Sequence, residues 1–347
     1  MSLRHHLQEA LKINPVPSPW PRMVVCAFAT GFPLVIGALL GQLPLSIFGA
    51  LVGFLLVLND HLGTLGHRLW VITLTFLFLL GGLLIGVLTG DHRSLMIPIL
   101  LAITYWMGLM GGEGAELERA VLFGTFQILA GAYSIAIKKY FAAALAYAFL
   151  GYLCVVLFLS LLVFLRRHNP NPFARLRTKL KESFMQEKRR HLYAFSYSLS
   201  VLITLIIVDY FKIDHGYWAV GTVLIIMRPD AKQSIYRNVQ RFFGTLIGVL
   251  VAEGLILTIH SPWLAILVLT VISFWGPWAL SRSYWLGSAV VVIMLLLILD
   301  LPSIEHGDTH TPLLRLQATG LGCLLSLLGV IFANPQFLWR DSPPPRE

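Results

Sequence analysis

The sequence predicts an all-α polytopic membrane protein with about twelve transmembrane helices, arranged as two parallel six-helix repeats. Hydrophobic residues make up 57% of the 347-residue chain and charged residues only 12%, whereas about a quarter of the residues in a soluble domain are charged. The apolar residues form long continuous runs without alternation. Such runs favour helices over a closed barrel, the other structure that satisfies its backbone polar groups in lipid.

Residue types recur between the two halves at one constant offset of 169 positions, over about 85 residues. The matched pairs are Arg68 and Arg237, segments 103–106 and 272–275, Gly151 and Gly320, and Cys154 and Cys323. A duplicated helical bundle has a seam between its halves, and transporters place their substrate path at such a seam. The three cysteines lie in apolar runs without a CxxC motif, so we expect free core thiols.

The predicted helices are the twelve apolar segments of the chain, six in each half. They are residues 23–40, 44–59, 69–89, 94–111, 119–137, 141–165, 192–211, 216–228, 242–260, 262–280, 284–300 and 313–333. An even number of crossings returns the chain to its starting side, so the two halves should have the same orientation in the membrane.

The distribution of basic residues predicts which side the termini occupy. With a cytoplasmic N-terminus, 21 of the 26 Lys and Arg residues fall on the inner side and 5 on the outer side, Arg315 among the latter. This split follows the positive-inside rule and predicts cytoplasmic N- and C-termini. The basic charge is then expected to face anionic lipid headgroups, so nucleic acid is not an expected partner.

These segments divide the chain into four parts. Residues 1–165 form a first membrane repeat with a cytoplasmic N-terminus, and residues 191–335 form a second repeat. Residues 336–347 form a cytoplasmic tail, and residues 166–190 form a basic cytoplasmic linker. The linker has the pattern of an amphipathic helix on the inner leaflet, although an orientation signal alone would also explain its charge.

The second segment of each half is too short to cross a bilayer. Residues 45–58 and 217–227 would extend about 21 Å and about 17 Å as helices, against a hydrocarbon core of about 30 Å. Asp60 and Asp230 follow these two segments. Paired short helices at corresponding positions indicate a transporter's binding site; buried, tilted helices are the alternative.

Arginines follow these short segments. Arg228, Arg237 and Arg241 lie after the second one, and Arg68 lies after the first. Cations at a pore mouth attract anions and lower their desolvation cost, whereas membrane orientation alone would also explain loop arginines. Because the next apolar segment begins at residue 242, we expect Arg241 at or just below the membrane boundary.

A motif connects these features. Tyr217-Trp218, Pro229-Asp230 and Arg241-Phe242-Phe243-Gly244-Thr245-Leu246-Ile247-Gly248 occur in order over about 35 residues. The pattern resembles the fusaric acid resistance and aromatic acid exporter family. Its members carry Tyr-Trp near the start of one helix, a Pro-Asp-type break, and Arg-x-x-Gly-Thr-x-x-Gly opening the next helix.

This resemblance implies a location in the bacterial inner membrane and export of aromatic or other hydrophobic carboxylic acids, and it allows a periplasmic adaptor protein as a partner. The chain is also distantly similar to plant aluminium-activated malate transporters, which pair six-helix units around an anion pore. Two differences from the family pattern weaken the inference of the substrate from the resemblance. Longer family members insert a large cytoplasmic domain where this chain has 25 residues, and no Gly-Thr element follows Arg68.

The residue types of the motif suit a passage for organic anions. Gly244 and Gly248 are four residues apart and would let another helix approach closely. Arg241 can hold a carboxylate with two parallel hydrogen bonds, and the Thr245 hydroxyl can bond to the backbone or to a ligand. The aromatic pathway candidates are Tyr217, Trp218, and the repeat-related pair Trp106 and Trp275.

Three acids are candidates for proton coupling: Glu253, inside a predicted helix, and Asp230 and Asp60, at the exits of the short segments. A charged carboxylate is costly in lipid, so Glu253 should be protonated, paired, or close to the outer interface.

No nucleotide-binding loop, nucleophile elbow, HExxH or dinucleotide fingerprint occurs, so we expect no cofactor and a gradient as the energy source. The loop residues His306, Asp308 and His310 are close in sequence but lack helical support, and no metal is expected there.

The sequence therefore favours a proton-driven secondary exporter of organic anions. A passive anion channel is the first alternative. A membrane-embedded lipid-modifying enzyme, using His61, His67 and Asp60, is the second.

Overall fold

The computed structural model describes residues 11–60, 63–110, 115–133, 135–164, 188–213, 215–300 and 310–334. All of the regular structure in these ranges is helical. Eight of the helices are long and apolar enough to cross a membrane, and the chain is a multi-pass membrane protein. The linker lies outside the described residues except for residues 188–190, which begin a helix, and the C-terminal tail lies outside them entirely.

The described residues contain thirteen helices. They are α1 (Trp20–Leu39), α2 (Leu43–Asn59), α3 (Leu65–Thr89), α4 (Arg93–Met110), α5 (Ala115–Tyr133), α6 (Ile135–Lys139), α7 (Phe141–Phe164), α8 (Lys188–Tyr210), α9 (Tyr217–Ile226), α10 (Ala231–Thr258), α11 (Pro262–Arg282), α12 (Tyr284–Asp300) and α13 (His310–Ala333). Each of the twelve predicted segments coincides with a helix, and α6 is an additional short helix.

Two helix boundaries depart from the sequence-based expectation. Helix α9 has only 10 residues, as its short apolar run indicates, whereas α2 has 17 residues and is longer than expected. Helix α10 begins at Ala231, where the carboxylate of Asp230 accepts a hydrogen bond from the Lys232 backbone N–H at 2.9 Å. The predicted start at residue 242 is therefore wrong, because polar residues form the first turns of this 28-residue helix.

Helix packing in one half has a counterpart in the other. Helix α3 packs on α5 as α10 packs on α12, and α2 packs on α7 as α9 packs on α13. Between the halves, α1 packs on α11 and α8 packs on α4. In each of these contacts, the first helix of one half meets the fourth helix of the other. Like-oriented repeats related by a two-fold axis would pack in this way, and the orientation in the membrane stays a prediction.

Glycines permit the closest of these helix contacts. A Cβ atom on Gly244 would lie 2.5 Å from the carbonyl oxygen of Trp285, and one on Gly248 would lie 2.9 Å from that of Ala289. Glycine at both positions therefore allows α10 and α12 to approach backbone to backbone. Cys26, Cys154 and Cys323 are free and buried in the packed bundle, as expected for core thiols.

Candidate functional site

The break after α2 in the first half is closed by internal charge pairing. Asp60 is 2% exposed. Its carboxylate accepts a hydrogen bond from Arg68 Nε at 2.8 Å and a second one from Arg68 Nη2. Arg22 Nε lies 3.7 Å from the same carboxylate, and Arg22 also donates to the carbonyl oxygen of Val57 at 3.1 Å. Arg68 and Asp60 therefore neutralise each other within the protein.

Side chains from neighbouring helices satisfy the remaining polar groups at the end of α2. Asn59 donates to Thr75 Oγ1 at 2.8 Å and to the carbonyl oxygen of Glu116 at 3.0 Å. His67 Nε2 lies 3.2 Å from the Glu116 carboxylate. Asp60, which the enzyme hypothesis requires, is thus engaged in an ion pair, and His67 contacts the Glu116 side chain. His61 lies outside the described residues.

The break after α9 in the second half has a different arrangement. Arg228 forms an ion pair with Glu118 of α5, so this contact joins the two halves. The Arg228 backbone N–H donates to Ser234 Oγ at 2.8 Å. Burial, with a smaller contribution from nearby Arg237, lowers the pKa of Arg228 to about 10, so the group is cationic at neutral pH.

Arg237 lies about two helical turns beyond this break and is half-buried. Its guanidinium group lies over the ring of Tyr284, 5.2 Å from the centroid, and its Nη1 is 3.5 Å from the carbonyl oxygen of Ile225. Arg237 is thus positioned at the C-terminal end of α9, beside the break, and its guanidinium group packs against the helix bundle.

Arg241 lies deeper in the bundle than expected. It is 3% exposed, and its Nη1 donates to Ser288 Oγ of α12 at 3.1 Å, while its buried Nε has no partner. Thr245, one turn further along α10, is 0% exposed, and its hydroxyl also has no partner. Across the described residues, the ion pairs leave Arg241 without a carboxylate. This isolated buried charge distinguishes the second half from the first.

A second buried guanidinium group is that of Arg315, which the distribution of basic residues assigned to the outer side of the membrane. Helix α13 begins at His310 and carries Arg315, which is 4% exposed and has an unpartnered Nε. Thr319, one turn later, is 0% exposed, and its hydroxyl is unpartnered. Arg315 is therefore buried inside the helix bundle, and its assignment to the outer side of the membrane stays a prediction. A repeated Arg-x-x-x-Thr spacing, at 241 and 245 and at 315 and 319, is a sequence signal that could have revealed the pair.

Trp218 is adjacent to this second group. The indole is 6% exposed, with the Arg315 guanidinium 4.7 Å from its ring centroid and the His215 ring stacked at 4.9 Å. Tyr217 meets Trp218 edge-on at 5.6 Å and stacks on Tyr133 of α5 at 5.9 Å. Trp218 therefore positions Arg315 by a cation–π contact, a role that the motif alone did not suggest.

The structure does not bring the other two predicted tryptophans to these arginines. Trp106 lines an apolar recess of about 430 Å³ between α3, α4 and α5. Trp275 is 43% exposed on α11 and packs against Phe274 and Trp278. Their equivalence in the repeat thus places them at similar helix positions without placing them at one site.

The three acids considered for proton coupling have different surroundings. Asp60 is paired with Arg68, and Asp230 caps α10. Glu253 is partly exposed on α10, about 18 Å along the helix axis from Arg241. The ion pairs of the described residues leave Glu253 without a cationic partner.

Comparison with known proteins matches one region of the chain to a family. Residues 202–329 match the family model described as fusaric acid resistance protein-like. This part of the second half of the chain is therefore similar to the fusaric acid resistance protein-like family. Every residue of the site that lies on α9, α10, α12 or α13 is within the matched region, as are the short helix and the break that follows it.

Three relatives of the chain are distant. It is 24% identical over 177 residues to the inner membrane protein YccS of Escherichia coli, and 28% identical over 153 residues to a Haemophilus influenzae protein. It is also 28% identical over 126 residues to protein slr1298 of Synechocystis. The matches cover 50%, 43% and 35% of this chain but only 24%, 20% and 16% of the relatives, so the chain spans a quarter or less of each. No solved structure matches the chain.

Proposed function

We propose that this protein is a secondary transporter that exports aromatic or other hydrophobic carboxylic acids across the bacterial inner membrane. The observation that carries the proposal is Arg241, a guanidinium group 3% exposed that has a hydroxyl partner but no carboxylate among the described residues. A buried charge without a counter-ion is costly. A carboxylate substrate would supply that counter-ion and accept paired hydrogen bonds from the planar guanidinium group.

The residues between the cytosol and Arg241 suit the recruitment of an anion. Arg228 at the break after α9 is paired with Glu118, whereas Arg237 beside the break is outside the ion pairs of the described residues, so Arg237 supplies the positive charge on the approach to Arg241. Cations at a membrane entrance raise the local concentration of anions and reduce the cost of desolvating them. The apolar and aromatic side chains around α9, Tyr217 among them, suit the hydrophobic body of such acids.

The direction of transport and its energy source are further parts of the proposal. Glu253 is the strongest candidate for proton exchange, because Asp60 forms an ion pair with Arg68 and Asp230 caps helix α10. A periplasmic adaptor protein and anionic lipids are the proposed macromolecular and lipid partners. The family of the second half and the name of the E. coli relative, an inner membrane protein, support both the transport role and its location.

The test is export of labelled benzoate from proteoliposomes, driven by a pH gradient. We expect Arg241→Gln to reduce the rate at least about tenfold, since each hydrogen bond between charged groups contributes about 1.5–3 kcal/mol. Arg282→Gln is the matched control, because Arg282 ends α11 and contacts Trp278. Full transport by Arg241→Gln would refute the role. Flux that ignores the pH gradient at fixed voltage would indicate the passive anion channel.

A further inference from the structure

The register between α10 and α13 follows from three contacts. On α13, Gly322 lies against Ala219 and Gly329 against Met227, so α13 runs in the same direction as α9. The chain reverses direction after α9, and α10 is therefore antiparallel to α13. Ser326 Oγ donates to Asn238 Oδ1 at 3.1 Å, which places these two residues at one level.

This register places two unpartnered hydroxyls at the same level along the helix axes. Thr245 is seven residues beyond Asn238, and Thr319 is seven residues before Ser326, so both threonines lie two turns from the same reference level. The two helices pack on each other. Both hydroxyls are buried and without a partner.

The two guanidinium groups are on either side of this threonine pair. Arg241 lies one turn towards the start of α10, and Arg315 lies one turn towards the start of α13, so their backbones are about 12 Å apart along the helix axes. Like charges at such a separation repel each other in the low-dielectric interior of a helix bundle. Both are at least nine-tenths buried, and neither forms an ion pair within the part of the chain that the structure describes.

Two buried positive charges without acids require two negative charges for electroneutrality. We infer that α10 and α13 form a bipartite site for an organic dianion. Arg241, supported by Ser288 and Thr245, holds one acid group, while Arg315, positioned by Trp218 and supported by Thr319, holds the other. Two subsites on opposite sides of the pair Thr245 and Thr319 select against a ligand with a single acid group, because such a ligand leaves one cation uncompensated.

The inference deepens the proposed function, since it concerns the substrate of the same site, and a binding assay separates the two. The probes are benzoate and benzene-1,4-dicarboxylate, which share one ring and differ by one carboxylate, titrated calorimetrically into the purified full chain. We expect the dicarboxylate to bind at least about tenfold more tightly, as one added charge-assisted interaction predicts.

The decisive variant is Arg315→Gln. It should abolish the advantage of the dicarboxylate over benzoate, because only one cationic subsite remains, whereas Arg241→Gln should weaken the binding of both probes. Equal affinities in the wild-type protein, or equal losses for both probes in Arg315→Gln, would overturn the inference. If Arg315→Gln does not fold, Thr319→Val serves instead, with a selective loss of dicarboxylate affinity as the supporting result and no selective loss as the opposing one. Selective binding without transport would refute only the proposed function.

Discussion

The contact between α10 and α12 allows one prediction to be worked out in atomic detail. In Gly244→Ala, the new methyl group would lie 2.5 Å from the carbonyl oxygen of Trp285 and 2.8 Å from Cβ of Ser288. Neither neighbour is the end of a flexible side chain, so the helices must separate. Overpacking of this kind costs about 1–3 kcal/mol, and the better helix propensity of alanine recovers up to about 1 kcal/mol of it.

The same helix supplies a matched control. A Cβ atom on Gly254 would meet nothing within 4 Å, so Gly254→Ala should stabilise the protein by about 0.5–1 kcal/mol. Thermal unfolding in detergent is the assay. For a large domain, 1 kcal/mol shifts the midpoint by about 2–4 °C, so Gly244→Ala should melt a few degrees below the wild type and Gly254→Ala slightly above it.

A functional effect should accompany the loss of stability. Ser288 holds Arg241, and displacement of Ser288 by the new methyl group should therefore weaken anion binding in Gly244→Ala but not in Gly254→Ala. Equal melting temperatures for the two variants would refute the argument, because they would show that α10 and α12 can separate without cost.

Two further predictions concern the buried ion pairs. Glu118→Gln leaves Arg228 without its acid and should lower the free energy of unfolding by about 3–5 kcal/mol. The double variant that also carries Arg228→Gln should recover part of this loss. Fully additive losses of the two single variants would argue against a direct pair. Asp60→Asn should cost a similar amount, because Arg68 and Arg22 then face no carboxylate, while transport per folded molecule persists. Lost proton coupling at unchanged stability would instead assign Asp60 to the mechanism.

The two halves share one packing scheme but use it differently. In the first half, Asp60 neutralises Arg68, and Asn59 closes the end of α2. The residue at the repeat position of Arg241 is Ile72, which is fully buried and apolar. The unpaired cations of the described bundle are therefore concentrated in the second half. A duplicated scaffold with one anion site fits this asymmetry, since a second buried charge cluster would add cost without adding a ligand.

Several features of the site were accessible from residue order alone. The motif from Tyr217 to Gly248 identified the region that the family model matches, and it identified Arg241 and Thr245 as residues of interest. The close contact at Gly244 follows from the same motif. The depth of Arg241 did not follow, because the polar first turns of α10 resemble a loop when hydropathy alone is considered.

The sequence by itself determined the helical class and the positions of twelve segments, because lipid allows a long apolar run few structures other than a helix. The tertiary structure alone decided which arginines have acids beside them. Ion pairs such as Arg68 with Asp60 and Arg228 with Glu118, and the placement of Arg315 over Trp218, depend on which helix faces meet. Hydropathy records how far a residue prefers lipid to water, but it contains no information about the neighbour across a helix interface.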